Sequence, residues 1–315
     1  MKKVSLIGAG NIGGSLASII ANKNLADVML IDVIEGMAEG KALDISQAIA
    51  ITESSSKVEG STKLEEIKDS DVIIVTAGIA RKPGMSRDDL IETNLKIMKT
   101  VGSAIKEYSP NAFVICITNP LDAMVWSLKK ISGVKKEMIV GMAGVLDSSR
   151  FRFFLASELN ISSTNINAMV LGGHGDTMVP LLRYTTINGI PMLDLITKGL
   201  ITKNRLDEII ERTRNGGGEI VKLMKNSSAF VAPATCAVEM AESFLKNQKK
   251  ILPCSTYLSG EYGYKDIFIG VPIIIGKEGV EKVIELKFEK NEADDFTKSV
   301  NAVSDLTQKC KKILE

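Results

Sequence analysis

Val4-Ser5-Leu6-Ile7-Gly8-Ala9-Gly10-Asn11-Ile12-Gly13 joins a short apolar, β-branched strand to a helical pattern that runs to about Lys23. Its glycines stand where a strand-to-helix turn around a diphosphate needs them. Gly8 serves the tight turn, Gly10 the close backbone approach, and Gly13 the close packing of helix on strand, with the phosphates at the helix N-terminus. A glycine loop alone is a weak signal, but here the context supports it. A second strand, Val28-Met29-Leu30-Ile31, ends in Asp32, 19 residues after Gly13, the spacing of an acid that binds the adenosine ribose. Val33, Ile34 and Glu35 bring no positive charge for a 2′-phosphate, so the expected cofactor is NAD rather than NADP.

Working outward, the alternation of strand and helix continues. Residues 36–51, 88–108 and 121–131 read as helices, and 71–76, 112–117 and 138–141 as short apolar strands. Apolar strands alternating with helices predict an α/β fold, an N-terminal Rossmann parallel sheet with helices on both faces. Ligands of such sheets bind beyond the carboxyl ends of the strands, here at Thr76-Ala77-Gly78 and Thr118-Asn119-Pro120. From about Phe151 the pattern changes. A helix to about Leu159 is followed by the strand that leads to His174 and by a hairpin over 184–192 turning at Asn188-Gly189. Helices over 206–224 and 233–246, strands over 251–258 and 267–275, and a charged helix from Ala293 complete the chain. The expected division is an NAD-binding domain over 1–143 and a C-terminal α+β substrate domain over 144–315.

Composition narrows the function. A length of 315 residues suits two modest domains. Thirty-nine basic against 38 acidic residues leave a net charge of +1, with no electrostatic case for nucleic acid or an acidic membrane surface. Cys116, Cys236, Cys254 and Cys310 are far apart and form no C-x-x-C, which implies neither a zinc site nor a disulfide framework and suits a reducing, cytoplasmic setting. Met1-Lys2-Lys3 runs directly into a strand, so no signal peptide is expected, and no apolar run is long enough to span a membrane. Only eight basic residues are arginines, so each is a candidate for a place where a rigid bidentate fork matters.

His174 is the only histidine, in Val170-Leu171-Gly172-Gly173-His174-Gly175-Asp176. An isolated histidine after an apolar strand is often just a satisfied core residue. The flanking glycines instead leave space for a ligand, and any general acid/base chemistry with an ordinary pKa passes through this side chain. Asp147, in Gly144-Val145-Leu146-Asp147-Ser148-Ser149-Arg150, is the candidate partner to fix its tautomer. Arg150, one helical turn on, could hold a substrate carboxylate or simply pair with Asp147. The segment from Ala77 to Arg87, punctuated by Gly78, Pro83 and Gly84, carries Arg81 and Arg87. It reads either as a solvated loop or as a lid whose arginines reach an anion. A lone histidine without ligand-spaced carboxylates makes no transition-metal site.

Taken together, the Gly8–Gly13 loop, the Arg81–Arg87 segment, Ile117-Thr118-Asn119-Pro120, Leu146-Asp147-Ser148-Ser149-Arg150 and Gly172-Gly173-His174-Gly175-Asp176 resemble the lactate and malate dehydrogenase family. The run as a whole looks most like its lactate-dehydrogenase-like bacterial malate dehydrogenases. That resemblance implies reversible hydride transfer between (S)-malate and NAD, giving oxaloacetate and NADH, in a homodimer or homotetramer acting on a 2-hydroxy or 2-oxo dicarboxylic acid. It implies His174 as proton donor and acceptor, Asp147 as its orienting partner and Arg150 as the grip on the carboxylate beside the reacting carbon. Arg87 would polarise the carbonyl as the lid closes, Arg81 would bind the second carboxylate, and Asn119 would touch both substrate and nicotinamide. Asn94, Ile117 and Thr118 match further cofactor-contacting positions. The alternatives are an L-lactate dehydrogenase acting on pyruvate and, more remotely, a non-catalytic NAD-binding sensor. A short-chain dehydrogenase is excluded, since no tyrosine has a lysine four residues on.

Overall fold

The computed structural model describes residues 1–79 and 87–315. Its first half is β1 (Lys3–Ile7), α1 (Asn11–Asn22), β2 (Asp27–Ile31), α2 (Met37–Ile51), β3 (Val58–Ser61), β4 (Val72–Val75), α3 (Arg87–Tyr108), β5 (Phe113–Cys116), α4 (Leu121–Ser132) and β6 (Ile139–Gly141). The six strands pair in parallel. β4 and β5 are buried at every position, which is why Val72-Ile73-Ile74-Val75 and Phe113-Val114-Ile115-Cys116 show no polar alternation. β3 was not legible in the sequence: Val58-Glu59-Gly60-Ser61 has one large apolar residue, enough for an edge strand. Gly60 lets α2 rest on it, for a Cβ there would lie 2.3 Å from the Ala38 carbonyl carbon.

The second half opens with α5 (Gly144–Leu159), one continuous helix that carries Asp147, Arg150 and the stretch from Phe151 together. Its C-terminus is closed by Asn160 in the left-handed region (φ 51°). Short strands follow: β7 (Ile166–Asn167), β8 (Val170–Leu171), β9 (Val179–Pro180), β10 (Thr186–Ile187) and β11 (Ile190–Pro191), the last two forming the expected hairpin at Asn188-Gly189. Then come α6 (Met192–Thr197), α7 (Lys203–Met224), α8 (Val231–Leu245), β12 (Lys250–Ser259), β13 (Lys265–Gly276), β14 (Gly279–Val283) and α9 (Lys290–Leu314). α6 and β14 are additions to the sequence reading. α9 starts on a reciprocal capping box between Glu289 and Glu292, and Glu292 also pairs with Arg183 at 2.8 Å.

β12, β13 and β14 continue the N-terminal sheet in antiparallel fashion, giving nine strands in the order β14-β13-β12-β6-β5-β4-β1-β2-β3. The junction is Ser255 opposite Gly141, where a Cβ on the glycine would lie 3.0 Å from the serine Cβ. α8 also returns to the first half, stacking Phe244 on Phe113 with ring centroids 4.6 Å apart, a contact worth about 0.5–1.5 kcal/mol beyond its buried area. One shared core thus runs across residues 143 and 144, and close packing holds the strand ends and the His174 loop in fixed relation. Among the described residues no helix is long and apolar enough to cross a membrane, and no group of His, Cys, Asp or Glu is placed to hold a metal ion.

Candidate active site

The glycine loop is built as its sequence demands. Gly8 has φ +110°, and a Cβ there would lie 2.5 Å from Thr76 Oγ1; a Cβ on Gly13 would lie 1.9 Å from the Gly8 oxygen. Gly10, at the N-cap of α1, faces open space and supplies no side-chain cap. The first N–H groups of α1 therefore remain available to an anion, and the dinucleotide diphosphate fits this turn. Asp32, at the end of β2, accepts from the Ala9 N–H through Oδ2 at 2.7 Å and from the Ile34 N–H through Oδ1 at 3.0 Å. Each carboxylate oxygen keeps a further lone pair for a ribose hydroxyl. Beside it Val33 is 90% exposed and Ile34 58%.

Asn94 is fully buried on α3, and its amide is spent on backbone. Oδ1 accepts from Ile79 N–H at 2.8 Å, while Nδ2 donates to the oxygens of Ile79 and Asn119 at 3.2 and 2.7 Å. Thr118 Oγ1 donates to the Ala77 oxygen at 2.7 Å. These bonds tie the loop after β4 to the loop after β5, and leave Asn119 exposed at the strand ends while Ile117 and Thr118 are buried. Of the expected lid residues, Arg81 lies outside the described residues. Arg87 enters only as the first residue of α3, and its side chain lies outside them as well.

His174 stands just past β8. Its Nδ1 lies 2.9 Å from Asp147 Oδ2, and Arg150 Nη1 lies 3.4 Å from the other oxygen, Oδ1. Asp147 is 2% exposed; His174 and Arg150 side chains are each 14% exposed. Burial by itself favours the neutral imidazole, but the Asp147 charge and hydrogen bond outweigh it. The pKa of His174 is therefore raised above its ordinary 6.5, with Asp122 assisting and Arg150 opposing. The contribution of this group to folding is thus full below pH 6.5 and lost as pH rises through the folded value.

Arg150 Nε is buried without a hydrogen-bond partner among the described residues. A guanidinium with unused donors beside one carboxylate suits a second, incoming carboxylate. It reaches its position past α7, where Cβ atoms on Gly216 and Gly217 would lie 3.2 Å from Arg150 Cδ and 3.4 Å from Nη2. The sequence carried that signal in Gly216-Gly217-Gly218, three consecutive residues that each cost about 1 kcal/mol inside a helix. The close approach of Arg150 supplies the reason at Gly216 and Gly217, whereas a Cβ on Gly218 would meet nothing within 4 Å.

The His174 loop is clamped from three sides that sequence reading missed. Gly172 exchanges backbone hydrogen bonds with Gly270 of β13 at 2.9 and 3.0 Å. The Gly173 N–H donates to Ser299 Oγ of α9 at 2.8 Å, and the His174 N–H donates to Asp122 Oδ2 of α4 at 2.9 Å. Cys236 of α8 has a thiol pushed up to about 12 by burial and then by the Asp147 charge, so it stays protonated and takes no part in proton exchange.

Two profiles, described as "lactate/malate dehydrogenase, NAD binding domain" and "lactate/malate dehydrogenase, alpha/beta C-terminal domain", match residues 2–141 and 144–315. The chain belongs to the lactate/malate dehydrogenase family. It is an NAD-dependent oxidoreductase of that family, and residues 2–141 are its NAD-binding domain. Among solved structures of the family, the malate dehydrogenase of Cryptosporidium parvum is 47% identical, with 99% of each chain covered and a TM-score of 0.96. The lactate dehydrogenase of the same organism, complexed with lactic acid and β-nicotinamide adenine dinucleotide, is 44% identical, with 98% of each chain covered and a TM-score of 0.95. The apo malate dehydrogenase of Picrophilus torridus is 46% identical over 99% of this chain and 98% of its own, with a TM-score of 0.95. Overall similarity therefore defines the family and leaves its two substrates on equal footing.

If Asp147 outweighs burial at the imidazole, Asp147→Asn reverses the balance. If the imidazolium of His174 is the proton donor in oxo-acid reduction, the unmodified enzyme is expected to lose rate as pH rises through a His174 value above 6.5. In Asp147→Asn that alkaline limb is expected at lower pH, read from kcat/KM profiles of both proteins. A limb that stays in place or moves upward refutes the pairing.

Proposed function

We propose that this protein is an NAD-dependent malate dehydrogenase, interconverting (S)-malate and oxaloacetate, with His174 as proton donor and acceptor. The observation that carries the chemistry is Asp147 between His174 and Arg150: one carboxylate oxygen lies on the imidazole and the other on a guanidinium with a buried, unused donor. NADH, when bound, supplies the hydride. Arg150 grips the carboxylate beside the carbonyl, His174 Nε2 gives its proton to the carbonyl oxygen, and Asp147 stabilises the imidazolium and aims the ring. Asn119 at the end of β5 orients substrate and nicotinamide, Arg87 polarises the carbonyl, and the closing lid excludes water. Gly8–Gly13 and Asp32 hold the dinucleotide, while Asn94, Ile117 and Thr118 shape the loops around it.

Malate rather than lactate is supported by Arg81, six residues before Arg87, a cation for the second carboxylate that lactate lacks. Ala229, in the loop between α7 and α8, stands where lactate enzymes of the resembled family tend to carry threonine, and the smaller side chain suits the longer acid. We further propose a division between residues 143 and 144 and a cytoplasmic homodimer or homotetramer. The deciding experiment is NADH oxidation across a series of 2-oxo acids. Oxaloacetate is expected to be strongly preferred, whereas a preference for pyruvate makes the protein a lactate dehydrogenase, and no turnover with any of them leaves an NAD-binding sensor.

Cofactor choice is tested at Asp32. Its carboxylate repels a 2′-phosphate, so NADH is expected to be favoured clearly over NADPH, and Asp32→Ser to narrow that preference. Equal use of both cofactors by the unmodified protein removes Asp32 from the ribose.

A further inference from the structure

Asp122 opens α4 and is 4% exposed. Its Oδ1 accepts from Ser255 Oγ of β12 at 2.6 Å, and its Oδ2 accepts from the backbone N–H of His174 at 2.9 Å. A Cβ on Gly173 would lie 3.5 Å from the same Oδ2 and 2.5 Å from Val303 Cγ2, so the loop is pressed between α4 and α9 at this point. Burying a carboxylate is costly, and one backbone N–H and one hydroxyl could be satisfied by a neutral acceptor. Here the costly group stands at the residue whose ring pairs with Asp147.

We propose that Asp122 is a positioning residue for the proton donor, fixing the His174 main chain so that the imidazole meets Asp147 and the substrate. The inference rests on the assignment of His174 as the proton donor. Asp122 adds a second negative charge near the imidazole, favouring its protonated form. Among the described residues, the charged groups that act on the ring are Asp147 and Arg150 from α5 and Asp122 from α4. Asp122 itself faces His174 and Asp147, and burial pushes its carboxyl above the usual range against the hydrogen bonds of Ser255 and His174. Near it, at the end of β5, the Cys116 thiol is raised to about 12 by burial and is neutral.

A single histidine makes the test direct. The carbon-bound imidazole protons of His174 give one NMR titration curve in the full-length protein, with no turnover needed. In Asp122→Asn the amide can keep both bonds, with its oxygen accepting from His174 N–H and its nitrogen donating to Ser255 Oγ. The expected result is a His174 titration moved to lower pH, by less than in Asp147→Asn. In Asp122→Ala the loop loses its anchor, and kcat is expected to fall about 10- to 100-fold with NADH binding unchanged and the imidazole signal broadened or split. Should Asp122→Ala fail to fold, Asp122→Asn still decides whether the Asp122 charge acts on the imidazole. Ser255→Ala, which removes the other bond holding the Asp122 carboxylate, is then expected to lower kcat with NADH binding unchanged, an unaltered kcat overturning the positioning role. An unmoved titration in Asp122→Asn, or a loss in Asp122→Ala that merely tracks the folded fraction, overturns the proposal. If the unmodified protein turns over no 2-oxo acid, the assignment of His174 fails by itself, while the titration still reports whether Asp122 acts on the imidazole.

Discussion

His174→Asn is expected to lower oxaloacetate reduction at least about 10²-fold while NADH still binds. Asparagine can occupy the place of the ring and hydrogen-bond Asp147, but it has no proton to give near neutral pH. The dinucleotide turn at Gly8–Gly13 belongs to β1 and α1, not to the loop that carries His174, and its sequence is untouched. Because the chain holds one histidine, chemical modification of imidazole gives a second route to the same answer. Modification should abolish turnover, and oxaloacetate with cofactor should protect. Steady-state rates of the variant, NADH fluorescence for binding, and inactivation with and without ligands are the measurements. Full activity after complete modification ends the assignment.

The second large effect concerns substrate choice. Oxaloacetate carries a carboxylate that pyruvate lacks, and Arg81 is the cation proposed to meet it. With pyruvate, lid closure would bury Arg81 without a partner, a penalty of roughly 3–5 kcal/mol or about 10²–10⁴-fold in kcat/KM. Arg81→Gln should accordingly reduce kcat/KM for oxaloacetate and raise it for pyruvate, narrowing or inverting the ratio. An unchanged ratio in the variant, or a native preference for pyruvate, rejects the malate reading. The prediction has weight because relatives acting on either acid are nearly equally similar to this chain. A choice of substrate that depends on one charge is not visible in overall identity.

Much of the cofactor half was legible in sequence because its constraints are local. Gly8 and Gly13 answer to the backbone geometry of one strand-to-helix turn, and the Asp32 spacing follows from one strand-helix-strand unit. The apolar runs of β4 and β5 announce strands covered on both faces. Edge elements were harder, since β3 and β14 bury too little to leave a clear pattern. Asn94 shows a different limit. Its place in the site was named, but that its amide braces Ile79 and Asn119 depends on two loops from different strands.

By itself the sequence determined the class of fold, the dinucleotide turn, and the one side chain able to exchange protons near neutrality, because each follows from residue type and short-range spacing. Only the tertiary structure decided how His174 is held. Asp147 comes from 27 residues earlier, Asp122 from 52 and Ser299 from 125 residues later, and no local periodicity encodes such meetings. It also decided that the second half extends the same sheet through Ser255 and Gly141, and that Gly216 and Gly217 admit the Arg150 guanidinium. These contacts arise when separate elements compete for one packed interior, and the surviving arrangement is one that leaves most buried polar groups a partner.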